Sequence, residues 1–161
     1  MSKQFKLLLL LFEIAIAVLF SSCLTQLWDV WNVGVPPYAI TKPVYRIAGP
    51  DDVCTIGGVF FDFYNKTDKE VIFIETCMNV FDKQTCKLAF SKAGGLRSGS
   101  SCSITSSQKK NLCIPLDEYL YQIGSTSLCV DNFFISKIEY NDGSIWQDKL
   151  GIYAETCRED A

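Results

Sequence analysis

Residues Gly58 to Phe81, GVFFDFYNKTDKEVIFIETCMNVF, constrain the fold more than any other stretch. Val59, Phe61 and Phe63 alternate with Phe60, Asp62 and Tyr64. After the polar run Asn65-Lys66-Thr67-Asp68-Lys69, Ile72, Ile74, Met78 and Val80 alternate with Phe73, Glu75, Cys77, Asn79 and Phe81. A period of two sends one set to a buried face and the other outward. β-branched and aromatic side chains suit such a pleated, half-covered surface. The stretch therefore predicts two long strands joined by a turn. Their apolar face needs a second sheet to cover it, so the chain is expected to fold as a β-sandwich.

The remaining sequence supplies the other strands. Val44 to Ile47 reads as a first edge strand, and Gly49-Pro50-Asp51-Asp52 as a turn. Lys87 to Phe90 reads as a short strand. Ser91 to Gln108 is rich in Ser and Gly and reads as a flexible loop running into a strand around Cys102 to Thr105. Pro115 excludes a central strand from the irregular apolar segment around it. Leu128 to Tyr140 returns to strand character. Asp142-Gly143 accommodates positive φ and predicts a hairpin that Trp146 closes. No long apolar segment with helical spacing follows residue 22, and short strands separated by turns argue for a sandwich.

Hydrophobic residues make up 48% of the 161-residue chain, enough for one domain with a sizeable core. The net charge is −3, whereas a nucleic-acid-binding surface is normally basic. No nucleic-acid partner is expected. The chain contains no histidine, which removes the usual general base, the usual zinc ligand and the usual pH switch together.

Residues 1–22 have the layout of an export signal. Lys3 and Lys6 precede the apolar run Leu7 to Phe20, which only Glu13 interrupts and which is too short to span a membrane comfortably. The LFSSC stretch ending at Cys23 resembles the lipobox of bacterial lipoproteins, with Phe20 where Leu is usual and Ser22 where Gly or Ala is usual. That resemblance implies cleavage before Cys23, acylation of its sulfur, and a lipid-anchored, extracytoplasmic location at the bacterial cell membrane or outer membrane. Ordinary cleavage with Cys23 as a structural thiol, or an uncleaved anchor, are the alternatives. Residues 23–43, with Trp28, Trp31 and three prolines, then read as a stiffened tether. The domain is expected over 44–150, with 151–161 as a tail.

GGVFFDFYNKTDKEVIFIETCMNVFDKQT, followed later by ISKIEYNDGSIW, resembles the FxLYD-like group of bacterial immunoglobulin-like domains. The residues that carry the resemblance are Asn65, Thr67, Asp68 and Lys69, then Ile138, Tyr140, Asp142 and Gly143. They describe strands and turns rather than a site. The resemblance implies an all-β, immunoglobulin-like antiparallel sandwich with a binding or structural role, and it brings no catalytic residues.

The chain has eight cysteines, many for a cytosolic protein. In an exported chain Cys54, Cys77, Cys86, Cys102, Cys113, Cys129 and Cys157 are disulfide candidates, an odd number once Cys23 is acylated. Cys77 and Cys86 flank the Asp82 to Thr85 turn and are placed to face each other across a hairpin. Several cysteines acting as small buried hydrophobes is the plainer alternative. Without histidine or a C-x-x-C pair no zinc module is expected, and no cofactor. Gly94 to Ser101 lacks the lysine of a phosphate-binding loop. Asn65-Lys66-Thr67 fits a glycosylation acceptor but reads as an ordinary turn here.

The leading expectation is a cell-envelope lipoprotein with a non-catalytic sandwich domain. Its interaction surface is expected at the Ser-rich loop with Arg97 and at the aromatics Tyr119 and Tyr121. A secreted inhibitor with a rigid loop held near Cys102, Cys113 and Cys129 is the first alternative. A small hydrolase using carboxylates such as Asp51-Asp52 or Asp117-Glu118 is the second.

Overall fold

The computed structural model describes residues 34–90, 95–123 and 127–156. The export segment, Cys23, Trp28, Trp31, Ser91 to Gly94 and Cys157 lie outside the described residues. Among those described, no helix is long and apolar enough to cross a membrane.

The expectation of an all-β chain holds. Among the described residues, eight strands run in the order β1 (Tyr38–Ile40), β2 (Val44–Ile47), β3 (Gly57–Asn65), β4 (Val71–Asp82), β5 (Leu96–Ile104), β6 (Lys109–Pro115), β7 (Leu128–Tyr140) and β8 (Ile145–Gln147). One short helix, α1 (Asp117–Ile123), lies between β6 and β7. All ladders are antiparallel. In the first sheet β3 is central, with β1 and β2 end to end on one side and β6 on the other. The second sheet has the order β5-β4-β7-β8.

The alternation in β3 is as the sequence predicts. Val59, Phe61 and Phe63 are buried in the core, and Tyr64 is exposed. The ring of Phe61 meets Phe133 of β7 edge-on, with centroids 4.9 Å apart, and joins the two sheets. Phe60 points to the opposite face yet is also buried, because the Arg46 guanidinium lies 3.5 Å above its ring.

Strand β4 departs from the prediction at its start. Val71 pairs with Tyr140 but Phe73 pairs with Glu139, so β4 uses two residues where β7 uses one. This bulge turns Ile72 outward, 40% exposed, and puts Val71 into the core in its place. Strand β7 has two compensating irregularities, between Asp131 and Phe134 and between Ile135 and Lys137. Asn132 takes φ of 51° at the first. The core set accordingly changes phase along β7, from Leu128 and Val130 to Phe133 and Ile135, then to Ile138 and Tyr140.

Four further differences from the sequence reading concern boundaries. Tyr38 to Ile40, assigned to the tether, is a strand whose Tyr38 ring stacks on Phe63 and abuts Trp146. The buried Pro43 only interrupts the edge between β1 and β2, a position proline tolerates. The Ser-rich stretch, read as a loop up to a strand around Cys102, is strand β5 over Leu96 to Ile104, because β4 offers it a ladder from Met78 to Val71, broken only by the shift between Phe73 and Val71. Lys87 to Phe90 forms one isolated bridge, Leu88 to Phe81, rather than a strand. The start of the expected tail belongs to the domain: the fully buried Asp148 accepts the N–H groups of Leu150, Ile152 and Tyr153, and Glu155 bridges to Phe133.

Candidate functional site: the seam between β5 and β6

The turn from β3 to β4 and the turn from β5 to β6 both cross from one sheet to the other, and they are tied together. Asn65 is fully buried. Its amide nitrogen donates to the carbonyls of Lys69 (2.7 Å), Ile104 (3.1 Å) and Thr105 (3.2 Å). Its amide oxygen accepts from the N–H and hydroxyl of Thr67. Lys69 Nζ reaches Asp142 Oδ2 at 2.7 Å and donates to Ser144 Oγ at 2.9 Å in the β7–β8 turn, where Gly143 takes φ of 80°. Lys69 and Ser144 hold the Asp142 carboxyl well below the usual carboxylate range. The two motif segments singled out in the sequence thus meet at one end of the domain. With its amide engaged on both sides, Asn65 is not presented as a glycan acceptor.

From the Thr105–Gln108 turn, β5 and β6 form one long side of the sandwich. Among the described residues each is ladder-paired on one side only, β5 to β4 and β6 to β3. Between them lies a hollow of ≈ 250 Å³ with Phe61, Ile74 and Leu112 in its lining and Ser98, Ser100 and Cys102 beside them. A second hollow of ≈ 400 Å³ shares Ser98, Ile114 and Pro115 with the first and extends to Arg97, Asp117 and Tyr119. An apolar lining with hydroxyls and two strand edges alongside is chemistry suited to non-covalent binding.

Of the interaction residues expected from sequence, Arg97 and Tyr119 both line this seam. Arg97 Nη1 pairs with Glu75 Oε1 at 3.2 Å, and the Tyr119 ring packs 5.0 Å from that of Phe90. Tyr121 does not join them and stands 83% exposed on α1.

Of the acids considered for hydrolysis, Asp52 and Asp117 act as clamps. Asp117 accepts the backbone N–H groups of Thr55 (2.8 Å), Ile56 (2.7 Å) and Gly57 (3.2 Å). The first two of these hold its carboxyl below the usual range. Asp52 is lowered in the same way by Arg46, which it meets in a two-pronged pair, and by the Gly49 N–H. A catalytic acid needs the opposite displacement. Together these clamps fix the β2–β3 loop, at whose outermost point Val53 is 85% exposed.

The cysteines are spread across the fold. Cys77 is buried in β4 opposite Arg97 and Phe134, and no disulfide joins it to Cys86, which sits exposed in the turn with φ of 54°. The bridge of Phe81 to Leu88 sets that register, so the two cysteines do not face each other as the sequence suggested. Cys102 lines the seam with its thiol raised by burial, and Cys129 lies in β7 opposite Phe81. Among the described residues one pair of sulfurs comes within hydrogen-bond distance, Cys113 of β6 and Cys54 of the β2–β3 loop, at 3.5 Å. The spacing of Cys54 and Cys113 gave no sign of this.

Sequence reasoning missed the roles of Gly58, Arg46 and Asp148. For Gly58 a signal existed: glycine inside a strand marks a close approach. Searches against protein-family models, curated proteins and solved structures return no match to this chain.

Proposed function

We propose that the chain is a cell-envelope lipoprotein, anchored through Cys23, whose immunoglobulin-like sandwich domain binds an extended segment of a partner protein and carries out no covalent chemistry. The observation that carries this reading is the β5–β6 seam. Strand edges with an open side offer N–H and C=O groups for a ladder, and apolar hollows beside them accept alternate side chains. The link from Lys69 to Asp142 supports the immunoglobulin-like assignment, because it unites both segments of the resemblance.

Two measurements test the two halves of the reading. Labelled fatty acid incorporated into the wild-type chain and lost in Cys23→Ala supports the anchor, and undiminished label on the variant removes it. A photo-cross-linker at Ser98 should give a discrete product on intact cells, and one at Ile145 should not. Identical products from both positions would remove the seam as the binding surface.

The second reading, a secreted inhibitor, is favoured by one feature. The clamped loop from Gly49 to Ile56 presents Val53, not the Cys102–Cys129 region expected from sequence. Stoichiometric inhibition of a protease that cleaves after small aliphatic residues, abolished by Val53→Asp, would favour it over the first. Rapid cleavage at Val53 would exclude it.

A further inference from the structure

We infer that Cys54 and Cys113 are a disulfide site that staples the β2–β3 loop to the edge strand β6. Three features independent of each other converge on the pair. The two sulfurs stand 3.5 Å apart in the reduced structure, so closure to a bond of about 2.05 Å moves them by only about 1.5 Å. Gly58 leaves the space they occupy: a Cβ there would lie 2.9 Å from Cys113 Sγ and 3.2 Å from Cys54 Sγ. The loop that carries Cys54 is already held on both flanks, by Asp52 with Arg46 before it and by Asp117 with Thr55 and Ile56 after it. A staple added to a prearranged loop introduces little strain.

A metal would need more donors than two thiols, and among the described residues no group of three or more ligating side chains occurs. Of the other described cysteines, Cys102 lines the same hollow as Cys113, but among the described residues Cys54 is the one whose sulfur comes within hydrogen-bond distance of the Cys113 sulfur.

The chemistry requires an oxidant, and the class is a disulfide, either of an oxidoreductase or of glutathione. One cysteine loses its proton and attacks the oxidant, forming a mixed disulfide and releasing one of the oxidant's sulfurs as thiolate. The other cysteine, deprotonated in turn, displaces the second sulfur. Two electrons pass to the oxidant, which leaves as two thiols carrying the two protons. Burial and the contact with Cys54 push the Cys113 thiol up to about 12, so exchange is slow once the domain has closed.

Occupancy in the cell rests on the exported location proposed above, but the pairing itself does not, and the test separates them. The full chain is unfolded, reduced and refolded in a mixture of reduced and oxidised glutathione. It is then alkylated, digested and mapped by mass spectrometry. The expected product is a linked pair of peptides bearing Cys54 and Cys113. The loop it closes spans 59 residues, so the oxidised chain should melt about 10 °C above the reduced one. That difference should vanish in Cys113→Ser, and in Cys54→Ala/Cys113→Ala, whose packing stays closer to that of the thiols. Alkylated Cys54 and Cys113 in a chain linked through other cysteines would overturn the site, as would equal melting of the oxidised and reduced forms. The same linked pair in refolded protein but reduced thiols in protein isolated from cells would uphold the pairing and count against the exported location.

Discussion

The side-chain amide of Asn65 donates to the carbonyl of Ile104 at 3.1 Å, and so binds the turn that leaves one sheet to the strand end that leaves the other. Three carbonyls share its two hydrogens, and none of this side chain is exposed. Replacing it leaves buried acceptors without donors. Asn65→Ala should lower stability by about 2–4 kcal/mol in chemical denaturation. Thr67→Ala, which removes one hydroxyl donor at the same place, should lower it by about 1 kcal/mol.

The sheets depend on their aromatic contact. Phe61→Ala removes a ring packed against Phe133 and should cost about 3–5 kcal/mol, read as a lower denaturant midpoint with little change in slope.

The bulge at the start of β4 makes a sharper prediction. Ile72→Thr should change stability by no more than about 0.5 kcal/mol, because Ile72 faces solvent. Ile74→Ala, two residues on, should cost about 2–5 kcal/mol. Equal losses at both positions would show that the strand lacks the bulge.

Gly58→Ala would drive its new methyl to 2.7 Å from the Ile114 carbonyl, which is backbone and cannot swing away. A destabilisation of about 1–3 kcal/mol is expected from thermal or chemical melts.

Asp52, Asp62, Asp117 and Asp142 all have carboxyls held below the usual carboxylate range, chiefly by Arg46, Lys109, the Thr55 N–H and Lys69 respectively. A lowered folded-state value means the unfolded chain binds protons first as pH falls. The stability these groups contribute is present above about pH 4 and is lost as pH drops through their folded values. Denaturation midpoints should therefore be level from neutrality to about pH 5 and fall below about pH 4. Asp117→Asn should be less stable at neutral pH but show a shallower acid decline.

The two-layered β architecture was legible in the sequence because alternation in β3 and the second half of β4 is regular, and because Asp142-Gly143 marks its turn plainly. Only the end of strand β5 was legible, as the strand expected around Cys102 to Thr105. The serines and single glycine of its earlier part carry no periodic apolar signal, and the ladder offered by β4 decides its conformation. The same limit explains Ile72 and the phase changes in β7: a bulge is a property of two strands in register, invisible in either alone. Of the candidate site, Arg97 and Tyr119 were found as exposed polar and aromatic residues. Their convergence on one seam depends on β5 and β6 being the neighbouring edges of two sheets. Tyr38 was misplaced because proline after it suggested a linker, whereas that proline sits at an interruption in an edge strand.

The three N–H groups gathered by Asp148 have a practical consequence for anyone shortening this protein. A chain stopped at Gln147 would lose the aspartate and the strap it gathers. One stopped just after Asp148 would keep an acid enclosed in the domain with its donors deleted. Shortening therefore has to leave the chain in place at least through Glu155, which also bridges to Phe133.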